Sequence, residues 1–507
     1  MPINFIPNDP LAQNNVPMRP QKAHKNRPST RAGLHFPPAP PQGLFNPGTP
    51  DFLFWQCREG VLSALNVWEG LDAKVTRWAR STNPKRLALQ PNNGDDLNAY
   101  YDGQSLAFFE HTTSNTTTFS AASTDVVAHE TGHAILDSFR PDLWDSLFIE
   151  TGAFHEAFGD CVAILTALSD QATRAALLNK APDLGSPNFV EATAEDLSAG
   201  VKLALGANHP AAEPRHAWNT YQWQLPSTLP KSGPPKVLSS EIHSFARVFS
   251  GSFYDLIRNL FLGSATRNEA ALLAAAQSAG RLLAAGTRQA PESPRFFQAV
   301  GRSLVLADET LNNGANRQAI RDAFSRHGLA VGANAMLAPR AALAGAAPKG
   351  ATLSTATLND LKRRLGVAPK ARLLVQSQEI AGERLTQASH RREVPLGGLS
   401  KQLSGVVALA EEHVLVGAVA KSAAMISNLP DPTATRDEVF AFVSTLLDTH
   451  NIAFDSGKRG AVRAATATRP DRLPTHTVVA ERGRKVLRRV RFACLACGGL
   501  HAPSHMA

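Results

Sequence analysis

The sequence predicts an α+β protein in which short strands precede two helices, a mainly helical stretch follows, and a separate small α/β unit lies further along. Three observations lead to this class. Apolar residues recur at helical spacing from about Gln171 to His327, whereas strand-like alternation is confined to short runs before residue 110 and after residue 365. The 507 residues exceed what one hydrophobic core usually serves. An Ala-, Gly- and Pro-rich stretch from Gly332 to Gly350 interrupts the pattern between the two halves.

Taken in order, residues 1–50 are Pro-rich and polar with little periodicity, and read as a flexible arm. From Phe52 to Trp78 apolar residues such as Phe54, Val61, Leu65, Val67 and Leu71 follow helical spacing. Short strands are expected at Leu87 to Leu89 and at Leu106 to Phe109, around the turn-rich segment Pro91 to Asp96. Thr124 and Asp125 offer capping side chains to a helix that runs to Ser138, with Arg140-Pro141 as its stop. A second helix is expected from near Gly152 to Leu168. These elements make one lobe over 51–170, and a helical lobe over 171–331 follows, broken by a Pro-rich loop between His209 and Pro235. Residues 332–365 read as a linker region. A small α/β domain of unknown role is expected over 366–495, with strands at Arg372 to Val375, Val406 to Ala410, Val414 to Val419 and Val478 to Phe492, and a helix from Arg436 to Leu447. Residues 496–507 read as a flexible terminus.

Composition narrows the setting. No run approaches about eighteen consecutive apolar residues, and Met1 to Pro20 lacks the basic-then-apolar pattern of a secretory signal. A cytoplasmic protein with no membrane partner is therefore expected, with export by a route that reads no cleaved signal left open. Four cysteines are too few for a disulfide framework in a chain this long, and Cys57 and Cys161 fall in apolar helical patterns, as buried free thiols do. Lys and Arg number 52 against 43 Asp and Glu. Much of the local excess lies in Arg482, Arg484, Lys485, Arg488, Arg489 and Arg491, which alternate like a strand with one solvated face, so nucleic acid is not the expected partner.

The most informative stretch is Asp125 to His133, with Gly152 to Asp160 downstream. Positions i and i+4 share one helix face, so His129 and His133 can offer ring nitrogens to one metal ion, and Glu130 beside them can reach a water at that ion. This His-Glu-x-x-His arrangement supplies two ligands and a general base. Catalytic zinc takes three protein ligands and leaves one position open. Glu156, separated from His133 by 22 residues and carried on the next helix, completes the set. Asp160, one turn later, can accept the second ring N–H of a ligating histidine and fix its tautomer, and His155 is a candidate for similar work.

Together with Asp125 to Ala128 and Glu156-Ala157-Phe158-Gly159-Asp160, this motif resembles the thermolysin-like gluzincin metallopeptidases over about residues 50–330. The resemblance implies a two-lobed fold whose cleft is floored by the two metal helices, one catalytic zinc ion, and a peptide or protein substrate. Asn98-Ala99-Tyr100-Tyr101 resembles the family's edge strand, which implies that the Asn98 side chain and the Ala99 carbonyl hold the substrate, with Tyr100 beside them. Glu241-Ile242-His243-Ser244 resembles the segment that delivers a histidine over the metal, which implies that His243 stabilises the developing oxyanion, with Glu241 as its orienting partner. Val126 matches a position in the pocket for the residue after the cut. Arg215 has no motif to support a role and is assigned none. The family's calcium site is not expected, since Asp125 matches one of its positions but the acidic partner falls at Ala167. Its tyrosine between the metal helices also has no counterpart, Trp144 and Phe148 standing in that region.

The implied chemistry is hydrolysis of a peptide bond, with Glu130 as general base and proton donor to the amine and His243 on the oxyanion. A rival of another class places the purpose in the basic domain, contacting nucleic acid or a protein partner. Cys494, Cys497, His501 and His505 have ligand chemistry for structural zinc, but the gap from Cys497 to His501 is too short for a finger, so an unligated terminus is expected.

Overall fold

The computed structural model describes residues 1–331, 354–371, 373–380, 383–419, 422–425, 432–454 and 474–494. Its first part holds strands β1 (Pro2–Phe5), β2 (Arg19–Lys22) and β3 (Gly33–His35), helix α1 (Pro50–Leu71), and strands β4 (Arg86–Gln90), β5 (Ala99–Tyr101), β6 (Ser105–Phe108), β7 (Glu110–Thr113) and β8 (Thr116–Phe119). Helices α2 (Thr124–Phe139), α3 (Ile149–Ser169), α4 (Gln171–Lys180), α5 (Glu195–Leu205), α6 (Ile242–Leu262), α7 (Glu269–Gln289), α8 (Phe296–Asn312) and α9 (Arg317–Arg326) follow, with short strands β9 (Ala192–Thr193) and β10 (Arg215–His216) flanking α5. Beyond them lie α10 (Thr355–Arg364), β11 (Leu374–Ile380), β12 (Glu383–Pro395), β13 (Val406–Val419), β14 (Ser422–Met425), α11 (Pro432–Asp448), β15 (Ile452–Ala453), β16 (His476–Glu481), β17 (Arg484–Arg489) and β18 (Phe492–Ala493). The molecule thus mixes helices with several small sheets, compatible with the expected α+β class. Among the described residues no single helix is long and apolar enough to cross a membrane.

The helices form where sequence chemistry favours them. Thr49 caps α1 by accepting from the Phe52 N–H, Pro50 occupies the first turn, and Asp51 adds an acid to it. α3 is buried along almost its whole length, from Ile149 to Leu168, because it packs against α1, α2, α6 and α7 together. Aromatic rings bind these layers: Trp68 stands 5.0 Å from Phe158, while Phe154 lies 4.9 Å from Phe249 and 5.1 Å from Phe296. Beside the helices, a five-stranded sheet runs in the order β18-β5-β6-β4-β3, so the β5 edge is covered by a strand from the far part of the chain.

Three expectations are corrected. The first 50 residues are not a loose arm: Ile3, Phe5, Ile6, Ala12 and Val16 are buried, and Gln56 pins the segment by bonding both the N–H and the C=O of Ile6. Those apolar residues are too sparse to show a period, which hides their burial. Nor does the second α/β unit stand apart, since Phe442, Val443, Leu446, Leu487 and Phe492 join the same continuous core as α1 to α9. Arg489 and Trp144 bond reciprocally through side chain and backbone across that junction. The single strand expected over Val478 to Phe492 is instead the hairpin β16–β17, reversed at Arg482 and Gly483 with φ of 48° and 80°, followed by β18. Four residues of the basic cluster are engaged within the chain: Arg484 pairs with Glu393, Arg488 with Glu481 and Asp145, Arg489 donates to the Trp144 carbonyl, and Arg491 lies over the Tyr100 ring. The terminus expected at 496–507 lies outside the described residues.

The first segment is anchored by acids. Asp9 accepts from the N–H groups of Leu11 and Asp196, and the Ser123 hydroxyl sits between Asp9 Oδ2, at 2.8 Å, and Asp125 Oδ1. One hydroxyl proton can serve only one of the two carboxylates at a time. Burial, then the neighbouring Asp125, raises the Asp196 carboxyl to about 6, and burial pushes Asp9 and Asp125 up as well. A raised carboxyl favours the folded state while protonated, so this contribution is complete below about pH 4 and is lost as pH rises through about 6. Asp196→Asn is therefore expected to raise the thermal midpoint at pH 8 by about 1 °C, for about 1 kcal/mol after solvent screening, and to leave it unchanged at pH 4. Calorimetry at the two pH values checks this.

Candidate metal centre

The site begins with a close helix crossing. A Cβ on Gly132 of α2 would lie 2.8 Å from the Gly159 Cα of α3, and one on Gly159 would lie 2.6 Å from the His129 ring. Glycine at both positions lets the two backbones approach, and this brings the His129 and His133 face of α2 onto Glu156 and Asp160 of α3. Glu156 Oε2 lies 3.3 Å from His129 Nε2 and 3.7 Å from His133 Nε2. Ligand atoms about 2.0–2.2 Å from one small ion in a tetrahedron are separated by roughly 3.3–3.6 Å. The spacing therefore fits a shared ion.

Hydrogen bonding points the same way. His129, Glu130, His133 and Glu156 are fully buried, yet Nε2 of both histidines and both oxygens of both glutamates have no hydrogen-bond partner among the described residues. Their outward atoms are satisfied instead: His129 Nδ1 lies 3.0 Å from Asp160 Oδ1, and His133 Nδ1 lies 2.8 Å from His155 Nδ1. With Asp160 accepting from Nδ1–H of His129, the Nε2 lone pair is left for a metal. His155 accepts the corresponding proton of His133, and burial holds it neutral, well below its usual pKa. The His129–Glu130–His133 group could hold a metal ion, since one ligand atom from each lies within 4.8 Å of the others.

The electrostatics divide the labour. Burial opposes charge on His133 and lowers its pKa to about 3. For His129, burial and Arg215 also oppose charge, but the neighbouring carboxylates of Asp160 and Glu156 carry it up to about 8. Burial alone would raise the Glu156 carboxyl, yet the charge of His243 holds it well below the usual range. For Glu130 the neighbouring His129, Arg215 and His243 are outweighed, and burial takes it up to about 8.

His243 enters from the first turn of α6. Glu241 is the N-cap of that helix, its Oε2 accepting from the N–H of His243 and of Ser244, while its Oε1 lies 2.7 Å from His243 Nδ1. One carboxylate both starts the helix and aims the ring, leaving His243 Nε2 3.2 Å from Glu156 Oε2. On the β5 side, Asn98 Oδ1 accepts from the Ala99 N–H, the Ala99 carbonyl accepts from the Cys494 N–H, and Tyr100 pairs with Ala493. Val126 is fully buried in the first turn of α2.

Two participants escaped the sequence reading. Arg215 donates to Asp160 from Nε and Nη2, at 3.2 and 2.9 Å, and reaches the Cys494 carbonyl at 2.8 Å. A lone arginine outside any motif gives no sign of this. The segment Phe492 to Cys494 is the other. A second group, Asp142, Glu292 and His413, also brings ligand atoms within 4.8 Å, but both Asp142 oxygens are bonded by Arg140. Cys494 is a buried free thiol like Cys57 and Cys161, while Cys497, His501 and His505 lie outside the described residues.

Compared with protein-family models the chain matches none, and no curated protein matches it significantly. The site's chemistry therefore rests on its own residues. Glu156→Ala is expected to abolish tight binding of one metal ion per chain, and Asp160→Ala to weaken it by about 10–100-fold. Gly159→Ala, which drives a methyl into the His129 ring, should weaken it comparably without removing any ligand. Metal titration with folding monitored by circular dichroism measures all three.

Proposed function

We propose that this protein is a zinc metallopeptidase with the two-lobed gluzincin architecture, hydrolysing peptide bonds in peptide or protein substrates. The observation that carries this reading is the convergence of His129, His133 and Glu156 on one point, with Glu130 and His243 flanking it and the β5 edge alongside. Two imidazoles and one carboxylate are an accepted protein ligand set for catalytic zinc and leave the fourth position free. In this reading the lobe of β3 to β8 and the lobe of α4 to α9 face each other across α2 and α3.

When bound, zinc acts as a Lewis acid that polarises a carbonyl and makes water more acidic. The protein's own groups supply the rest. Glu130, its proton affinity raised by burial to about 8, is matched to taking a proton from the attacking water near neutral pH and passing it to the departing amine nitrogen. His243 has its pKa pushed well up: burial opposes the charge, but Glu156 and Glu241 outweigh it, so the ring is a cation that donates from Nε2 to the developing oxyanion. Arg215 and Asp160 together hold the His129 tautomer. An extended substrate adds to the β5 edge as a further strand, its N–H bonded by the Ala99 carbonyl. The balance is one water and one peptide bond in, one carboxylate and one ammonium out.

Glu130→Gln is expected to retain one zinc ion per chain while cleaving an unfolded protein substrate about 100-fold or more slowly. His243→Ala should lose about 100–1,000-fold in kcat with a smaller change in KM. Equal cleavage by wild type and Glu130→Gln would defeat the mechanism.

A further inference from the structure

The β5 edge already holds a peptide, and that peptide is the protein's own chain. β18 runs antiparallel to β5, with Phe492 opposite Tyr101 and Ala493 opposite Tyr100. Three contacts fix one peptide bond in the cleft. The Ala493 carbonyl oxygen lies 2.6 Å from His243 Nε2, the Cys494 N–H donates to the Ala99 carbonyl at 2.8 Å, and the Cys494 carbonyl accepts from Arg215 Nη1 at 2.8 Å. Before the bond, the Phe492 ring stacks on His155 at 3.8 Å and on the ligand His133 at 4.8 Å. Phe492, Ala493 and Cys494 are 1%, 3% and 0% exposed.

A segment merely packed in a groove needs some partner for each buried polar group. Here the partners are particular ones. The carbonyl that hydrolysis would attack faces the imidazole assigned to the oxyanion, the N–H of the leaving nitrogen faces the carbonyl assigned to hold substrate, and the residues on either side of the bond are small. We propose that the Ala493–Cys494 bond is a self-processing site, which the enzyme hydrolyses in its own chain and so clears its cleft. This inference rests on the peptidase reading. The oxygen of one water bonds to the Ala493 carbonyl carbon, the C–N bond breaks, and Glu130 carries the water's two protons in turn to the Cys494 nitrogen. A carboxylate forms at Ala493 and an ammonium at Cys494, with no change of oxidation state. Because the bond is held within the same molecule, the step is first order and independent of protein concentration.

The test uses the full chain. Zinc-loaded wild type, incubated and followed by intact-mass spectrometry, is expected to accumulate a species ending at Ala493 at a rate constant unchanged over a tenfold dilution. Glu130→Gln should do so about 100-fold or more slowly. Independently of activity, amide exchange in zinc-free Glu130→Gln should show Cys494 protected, and Phe492→Asp should lose that protection. Exchange at the unstructured rate in Glu130→Gln would mean that the strand is not seated and would overturn the proposal. So would wild type that digests an added unfolded protein while its own Ala493–Cys494 bond survives, an outcome that leaves the peptidase reading intact. If wild type cuts neither but Phe492→Asp digests the added protein, the strand is a fixed plug, self-processing is refuted and the peptidase reading again stands. If none of the zinc-loaded proteins cuts anything, the peptidase reading itself fails and takes this inference with it.

Discussion

α2 and α3 meet without side chains between them at Gly132 and Gly159, and the rest of the centre depends on that contact. Ligands on two separate helices converge only if the helix axes are held at a fixed, short separation. Interhelical distances are set by the side chains at the crossing, so removing those side chains draws the helices together. The aromatic rings of Trp68, Phe154, Phe158 and Phe249 then hold the pair from the outside. Precision in the site is thus a property of the core behind it.

That precision carries an energetic cost. Nε2 of two histidines and four carboxylate oxygens are buried without hydrogen bonds, and each such atom costs about 1–3 kcal/mol. Zinc binding to structural sites is worth about 10 kcal/mol or more, the same scale as that sum. A bound metal ion would satisfy these groups. Around them two carboxylates serve twice: Asp160 receives both His129 and Arg215, and Glu241 serves both the α6 backbone and the His243 ring.

The sequence spoke most clearly where chemistry and helical period coincide. His129 and His133 four apart, Glu156 and Asp160 four apart, and Glu241 two before His243 are each short-range patterns, so their shared faces were legible before any fold was known. What was hidden depends on distant partners. Arg215 acquires meaning only from Asp160, 55 residues earlier, and β18 is a two-residue strand that exists because β5 offers an unpaired edge. β12 is not legible in the sequence because its Arg- and Glu-rich stretch lacks apolar alternation, and the ladder to β13 overrides that local preference. The buried first segment was missed for a related reason: isolated apolar residues such as Ile3 and Phe5 find pockets on α1 that no local rule foresees.

The β18 pairing also sets a schedule for biosynthesis. Synthesis runs from the N-terminal side, so β5 and α1 to α9 leave the ribosome before β18 has been made. Translating from residue 331 to residue 494 takes on the order of 10–30 s at about 5–20 residues per second. Throughout that interval the β5 edge is bare, and an uncovered sheet edge invites pairing with any nearby extended chain. The nascent protein is therefore open to misassembly, and to chaperone capture, until β18 arrives.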